Sequence, residues 1–175
     1  IIMVLLLFII IYTLPISIFF IDIPILSSMM TNHTFSTLFV LLCFLFVING
    51  ANLIDGFNGL LTINLIIINV ILAHVNISNE NSEISILIIS QVIILLSFLL
   101  FNFPNAKLFL GDSGSYTMGG LTGLNVIITN NLNPEISSFF FCTLLFYIFF
   151  EVFFSFIRKI SQKKSPSIIL SICVF

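Results

Sequence analysis

From Ile84 to Phe103 the chain runs twenty residues without one charged side chain. A helix of that length is about 30 Å long, the thickness of a bilayer's hydrocarbon core. Further apolar runs lie at Ile1 to Phe20, Phe35 to Ile48, Leu60 to Val75, Tyr116 to Thr129 and Ile136 to Ile157. The second of these reaches spanning length only if part of the following NGANLI is included. Only 7% of the 175 residues are charged, against about 25% in soluble domains, too few to cover a water-facing surface. The sequence therefore predicts an all-α, polytopic transmembrane protein of about six spans, in one domain over residues 1–175.

The linkers fix an orientation. Asp22 to His33, Asn76 to Glu83 and Asn130 to Glu135 are the polar turns on one side; Asn49 to Leu61 and Asn102 to Gly120 are on the other. Four of the five basic residues, Arg158, Lys159, Lys163 and Lys164, follow the last span, and the fifth is Lys107. Basic residues favour the cytoplasm. The count back through the spans puts both islands and all five basic residues there, which predicts a multi-pass protein of the plasma (inner) membrane with cytoplasmic site loops. A net charge of −2 gives no reason to expect a nucleic-acid partner. Cys43, Cys142 and Cys173 lie far apart in apolar runs and form neither a metal-ligand spacing nor a disulfide framework. IIMVLLLF at the start has no basic n-region and reads as the middle of a span, not as a signal peptide.

The two polar islands carry the chemistry. The first reads NGANLIDGFNGLL and the second NFPNAKLFLGDSGSYTMGG. Each has one Asp beside small residues: Asp55 before Gly56, Asp112 between Gly111 and Ser113. Glycines let backbone N–H groups approach an anion, and a neighbouring carboxylate suits a hard cation such as Mg²⁺ bridging protein and pyrophosphate. Asn52, Asn58 and Asn102 add uncharged donors and acceptors, Lys107 offsets phosphate charge, and Phe109 offers a flat face. A single Asp-Gly or Asn-Gly pair is an ordinary turn former; two such islands on one face of so uncharged a chain read as one site. The expectation is that the Asp55 and Asp112 carboxylates lie within about 12 Å, close enough to share a hydrated Mg²⁺ and a pyrophosphate. Gly119, Gly120 and Gly123 favour close helix contact. Glu151 either pairs with the basic end of its span or points into the site. A serine nucleophile at Ser113 or Ser115 is excluded, because His33 and His74 fall on the opposite side. A channel or transporter is disfavoured because the spans read as nearly bare of polar residues facing one another.

The paired motifs, in this order and spacing, closely resemble those of the polyprenyl-phosphate N-acetylhexosamine-1-phosphate transferases. That family includes the phospho-N-acetylmuramoyl-pentapeptide transferases of peptidoglycan synthesis and the undecaprenyl-phosphate N-acetylglucosamine-1-phosphate transferases of lipopolysaccharide and related envelope polymers. The resemblance implies Mg²⁺-dependent transfer of a sugar-1-phosphate from a UDP-N-acetylhexosamine to undecaprenyl phosphate, with release of UMP, and commonly a homodimer. It implies Asp112 as metal ligand, Asp112 and Asp55 as catalytic residues, and Asn52, Asn58, Asn102, Lys107 and Phe109 as substrate-binding residues, with Phe109 on uracil. Asn58 stands where the family often has a second Asp. The family's upstream Asp-Asp pair and downstream His-rich stretch have no counterpart here. This predicts a domain truncated at both ends, and the alternative reading is a catalytically inactive homologue.

Overall fold

The structure, a computed structural model, describes residues 2–13, 17–18, 21–56, 58–105 and 107–161. Among the described residues, eight helices follow one another: α1 (Ile2–Thr13), α2 (Pro24–Met30), α3 (His33–Ile54), α4 (Leu60–Ser78), α5 (Ser82–Asn102), α6 (Gly111–Leu132), α7 (Ser138–Leu144) and α8 (Phe146–Ser161). Local chemistry marks their starts. The Asn32 side chain accepts from Thr34 N at 3.0 Å to cap α3, Pro24 opens α2, and the Ser137 hydroxyl accepts from Phe139 N to cap α7.

Helices α3, α4 and α5 are each long and apolar enough to cross a membrane, and α7 with α8 counts as a fourth span if its 59° bend is read as a break within one crossing. The expected six spans are thus not all matched. In the first run, α1 covers Ile2–Thr13, 12 residues. The expected loop from Asp22 to His33 contains α2. Helix α6 has the length, at 22 residues, but its sequence carries Asp112, Asn125, Asn130 and Asn131 with several Ser and Thr. The expected second span does extend through NGANLI, since α3 ends at Ile54. Lys163, Lys164 and Cys173 lie outside the described residues.

The core forms on α3 to α6 and is completed by α7 and α8. Leu61, Leu65, Ile68 and Leu72 of α4 meet Ile84, Ile88 and Leu95 of α5, with Val47, Ala51 and Ile54 of α3 and Ile148 of α8 in the same cluster. The alternating three- and four-residue spacing keeps these side chains on one face of each helix. A smaller cluster joins Ile11 of α1 to Val40, Leu41, Phe44 and Ile48 of α3. Where α3 crosses α6, a Cβ on Gly119 would lie 2.7 Å from the Ala51 Cβ, so only glycine permits that approach. Gly120 and Gly123 line the same crossing against Ile48 and Phe44. Gly50 does the same service against α8, where a Cβ would sit 2.7 Å from the Ile148 carbonyl oxygen.

The spans are not bare of polar contacts, and the sequence expectation is corrected here. Thr62, Asn69 and Asn76 recur every seventh residue on α4, and Ser115, Thr122 and Thr129 do so on α6; all are at most 1% exposed. Asn69 Nδ2 donates to Thr122 Oγ1 at 2.9 Å and Asn76 Nδ2 to Thr129 Oγ1 at 2.8 Å. Asn125 Nδ2 donates to Asn69 Oδ1 (2.9 Å) and to Gln91 Oε1 (2.8 Å), and Gln91 Nε2 donates to Thr122 Oγ1 (3.0 Å) and the Met118 carbonyl (3.1 Å). These polar atoms satisfy one another, as buried groups in hydrocarbon must. At the end away from the islands, Asn79 and Asn81 donate to Asn133 Oδ1, and Asp22 accepts from Ser138 N at 2.8 Å at the head of α7. His33 lies at that end too, edge-on to Tyr12.

Candidate active site

Helices α3 and α5 end, and α4 and α6 begin, at the same end of the bundle, so the two polar islands meet there. The Asn52 amide donates to Asp112 Oδ1 at 2.8 Å and to Ser115 Oγ at 3.2 Å. Ser115 is fully buried and donates in turn to the Asp112 carbonyl at 3.2 Å. Asp112 itself is exposed on the first turn of α6. A carboxylate there gains from the helix dipole, worth roughly 0.3–1 kcal/mol at an exposed N-terminus.

Asp55 is the cap residue of α3 and is only 8% exposed. Its Oδ2 accepts from Gly111 N at 2.9 Å, and the adjacent Leu110 amide also favours the charged carboxylate. Gly111 adopts a φ of +65°, left-handed backbone that an L side chain resists. This is the anion-cradling backbone anticipated from the glycines, but the anion it holds is the protein's own Asp55. Burial pushes the Asp55 carboxyl above its ordinary value; the two amides pull it back, and the nearby Asp112 charge adds to the rise.

The remaining island residues divide in two. Asn102, 2% exposed, accepts from Gly59 N and donates to the Leu108 carbonyl at 2.6 Å, so both ends of its amide brace loop backbone. Gly59, at φ +73°, heads α4 against Phe103, where a Cβ would lie 3.0 Å from the ring. Asn58 is exposed and donates to the Pro104 carbonyl at 3.2 Å, tying the first island to the second across the cis Phe103–Pro104 bond. Lys107 and Phe109 are exposed on the loop that leads into α6, with Phe109 51% exposed. Asp112, Asp55, Asn52, Asn58, Asn102, Lys107 and Phe109 therefore all belong to one end of the bundle.

Sequence reasoning did not single out Ser115 as part of this cluster. It follows Asp112 by three residues and so shares its helix face, the signal that would have found it. Glu151, left between two readings, is half-buried on α8, one turn after Tyr147. His74 is on the far half of α4, exposed.

Comparison with known proteins bears on this cluster. Residues 1–130 match the family described as glycosyl transferase family 4. A phospho-N-acetylmuramoyl-pentapeptide-transferase of Clostridium beijerinckii is 36% identical over 85 residues, 49% of this chain and 26% of the relative. One from Streptococcus sanguinis is 40% identical over 83 residues, 47% of this chain and 25% of the relative. An undecaprenyl-phosphate alpha-N-acetylglucosaminyl 1-phosphate transferase of Thermotoga maritima is 30% identical over 129 residues, 73% of this chain and 38% of the relative. The chain thus spans about a quarter to two-fifths of these relatives' lengths. No solved structure matches it. By the match over residues 1–130, which takes in both polar islands, the chain belongs to glycosyl transferase family 4.

Proposed function

We propose that the cluster around Asp112 is part of a phosphotransferase site. A sugar-1-phosphate passes there from a UDP-N-acetylhexosamine to undecaprenyl phosphate, and UMP leaves. The lipid phosphate oxygen forms a bond to the β-phosphorus as the bond from that phosphorus to the oxygen of UMP breaks. The reaction belongs to the building of cell-envelope polysaccharide or peptidoglycan, at the cytoplasmic face of the plasma membrane. The observation that carries this reading is the exposed Asp112 carboxylate, oriented by Asn52, at the helix end where Lys107 and Phe109 are also exposed.

The residues fit a magnesium ion shared with substrate. Mg²⁺ takes one or two protein carboxylates and completes its shell with phosphate and water oxygens. Asp112 offers one such carboxylate, and among the described residues no three His, Cys, Asp or Glu side chains converge into a closed cage. Asp112 would hold the ion, which when bound neutralises pyrophosphate charge. Asn52 keeps the Asp112 carboxylate in one rotamer, Lys107 offsets phosphate charge, and Phe109 presents a stacking face for uracil. Asn58 and Asn102 hold the two loops around the nucleotide-sugar.

The test is transfer of radiolabelled sugar-phosphate to undecaprenyl phosphate by the protein in nanodiscs, with UDP-N-acetylglucosamine and UDP-N-acetylmuramoyl-pentapeptide as alternative donors, across a Mg²⁺ titration. Asp112→Asn keeps size and hydrogen bonding but removes the charge. Several kcal/mol of lost charge stabilisation corresponds to about a thousandfold or more in rate. Asn58→Asp, which restores the commoner family residue, keeps turnover. Near-normal transfer by Asp112→Asn with an unchanged Mg²⁺ dependence removes the metal-ligand assignment.

A further inference from the structure

Two carboxylates stand at the meeting of the islands, and the structure treats them differently. Asp112 is exposed, whereas Asp55 is 8% exposed and faces backbone. We infer that Asp55 is a positioning residue, whose carboxylate ties the end of α3 to the start of α6 and so sets where Asp112, Phe109 and Lys107 sit.

Three observations carry this. Asp55 Oδ2 accepts from Gly111 N at 2.9 Å, and the adjacent Leu110 amide also favours the charged carboxylate. These amides open α6, so they have no partner inside the helix; Asp55 serves them as an N-cap side chain would, from a different helix. Gly111 at φ +65° is the backbone twist that turns the loop into the helix at this point, and Asp112 is the next residue. Finally, Asn52, one turn before Asp55 on α3, holds Asp112 Oδ1. The end of α3 thus grips α6 twice, once by its backbone through Asp55 and once by the Asp112 side chain through Asn52.

A hydrogen-bond acceptor is what this role requires, and a negative charge is not. Asp55→Asn keeps an oxygen for the Gly111 amide, since Asn and Asp cap about equally well; Asp55→Ala keeps none. Two readouts separate positioning from direct participation. The first is amide hydrogen exchange of the segment 108–112 in the intact protein in nanodiscs, which needs no activity. Asp55→Ala accelerates exchange at Gly111 by about fivefold, the equivalent of a lost cap of about 1 kcal/mol; Asp55→Asn stays close to wild type. The second is sugar-phosphate transfer, and this readout rests on the proposed transferase reading. Asp55→Ala loses about a hundredfold, as displacement of a catalytic group by an ångström can, and Asp55→Asn keeps a tenth or more of wild-type turnover.

Equal, severe loss of turnover in both variants with wild-type exchange in both overturns the inference and makes the Asp55 charge itself necessary. Wild-type exchange or wild-type turnover in Asp55→Ala overturns it as well. If the wild-type protein transfers nothing, the transferase reading fails, while the exchange measurement still decides the role of Asp55.

Discussion

Asn125 lies in the middle of α6, beyond the end of the second island, and its replacement tests how the bundle holds its register. Its amide donates to Asn69 Oδ1 at 2.9 Å and to Gln91 Oε1 at 2.8 Å, so one side chain on α6 ties down α4 and α5 together. Asn125→Leu keeps the branched shape, removes both donors and leaves two acceptors without their partner. Hydrogen bonds between membrane helices average about 0.6 kcal/mol and reach about 1.7, so the loss is about 1–3 kcal/mol. Replacing the whole group by apolar isosteres is a different perturbation. In Asn69→Leu, Gln91→Leu, Thr122→Val and Asn125→Leu combined, no polar side chain of the group is left without a partner. Removing both partners of a buried hydrogen bond is close to neutral, so the combined variant recovers to within about 1 kcal/mol of wild type. Far-UV circular dichroism during SDS titration in bicelles reads both. A loss below about 0.3 kcal/mol for Asn125→Leu, or a combined variant worse than the single one, refutes the claim that the group acts as a mutually satisfied unit.

Gly119→Val places a Cβ at 2.7 Å from the Ala51 Cβ, within the α3–α6 crossing; overpacking of this kind costs about 1–3 kcal/mol. The same titration should show that loss, while Gly120→Ala, with 3.7 Å to the Ile48 side chain, falls within about 1 kcal/mol of wild type. Glu80 is a non-glycine residue held at φ 59° in the turn between α4 and α5, a conformation that costs an L residue about 1–2 kcal/mol. Glu80→Gly should therefore raise stability by about 0.5–1 kcal/mol, after the greater chain entropy of glycine is deducted; a fall in the SDS midpoint contradicts it.

The membrane class and the meeting of the two polar islands were legible in the sequence for one physical reason. Hydrocarbon tolerates so few charges that the polar islands between apolar runs stood out, and the alternation of sides brought both islands to one end. The glycines at 119, 120 and 123 were legible too, because small residues are what let helix backbones approach. The pairing of Asn69 and Asn76 with Thr122 and Thr129 was present as a seven-residue spacing. Its meaning required α4 and α6 to be side by side, because an isolated Asn in a span gives no sign of its partner.

The division of labour between the two aspartates was decided only by tertiary structure. In the sequence Asp55 and Asp112 look alike, each an Asp beside glycine after an apolar run. Folding leaves Asp112 exposed on the first turn of α6 and turns Asp55 onto the Gly111 amide. The sequence supplies a carboxylate and a flexible glycine fifty-six residues apart. Whether that glycine's amide meets a substrate phosphate or the protein's own carboxylate depends on where α3 ends relative to α6, and packing across Ala51 and Gly119 sets that distance.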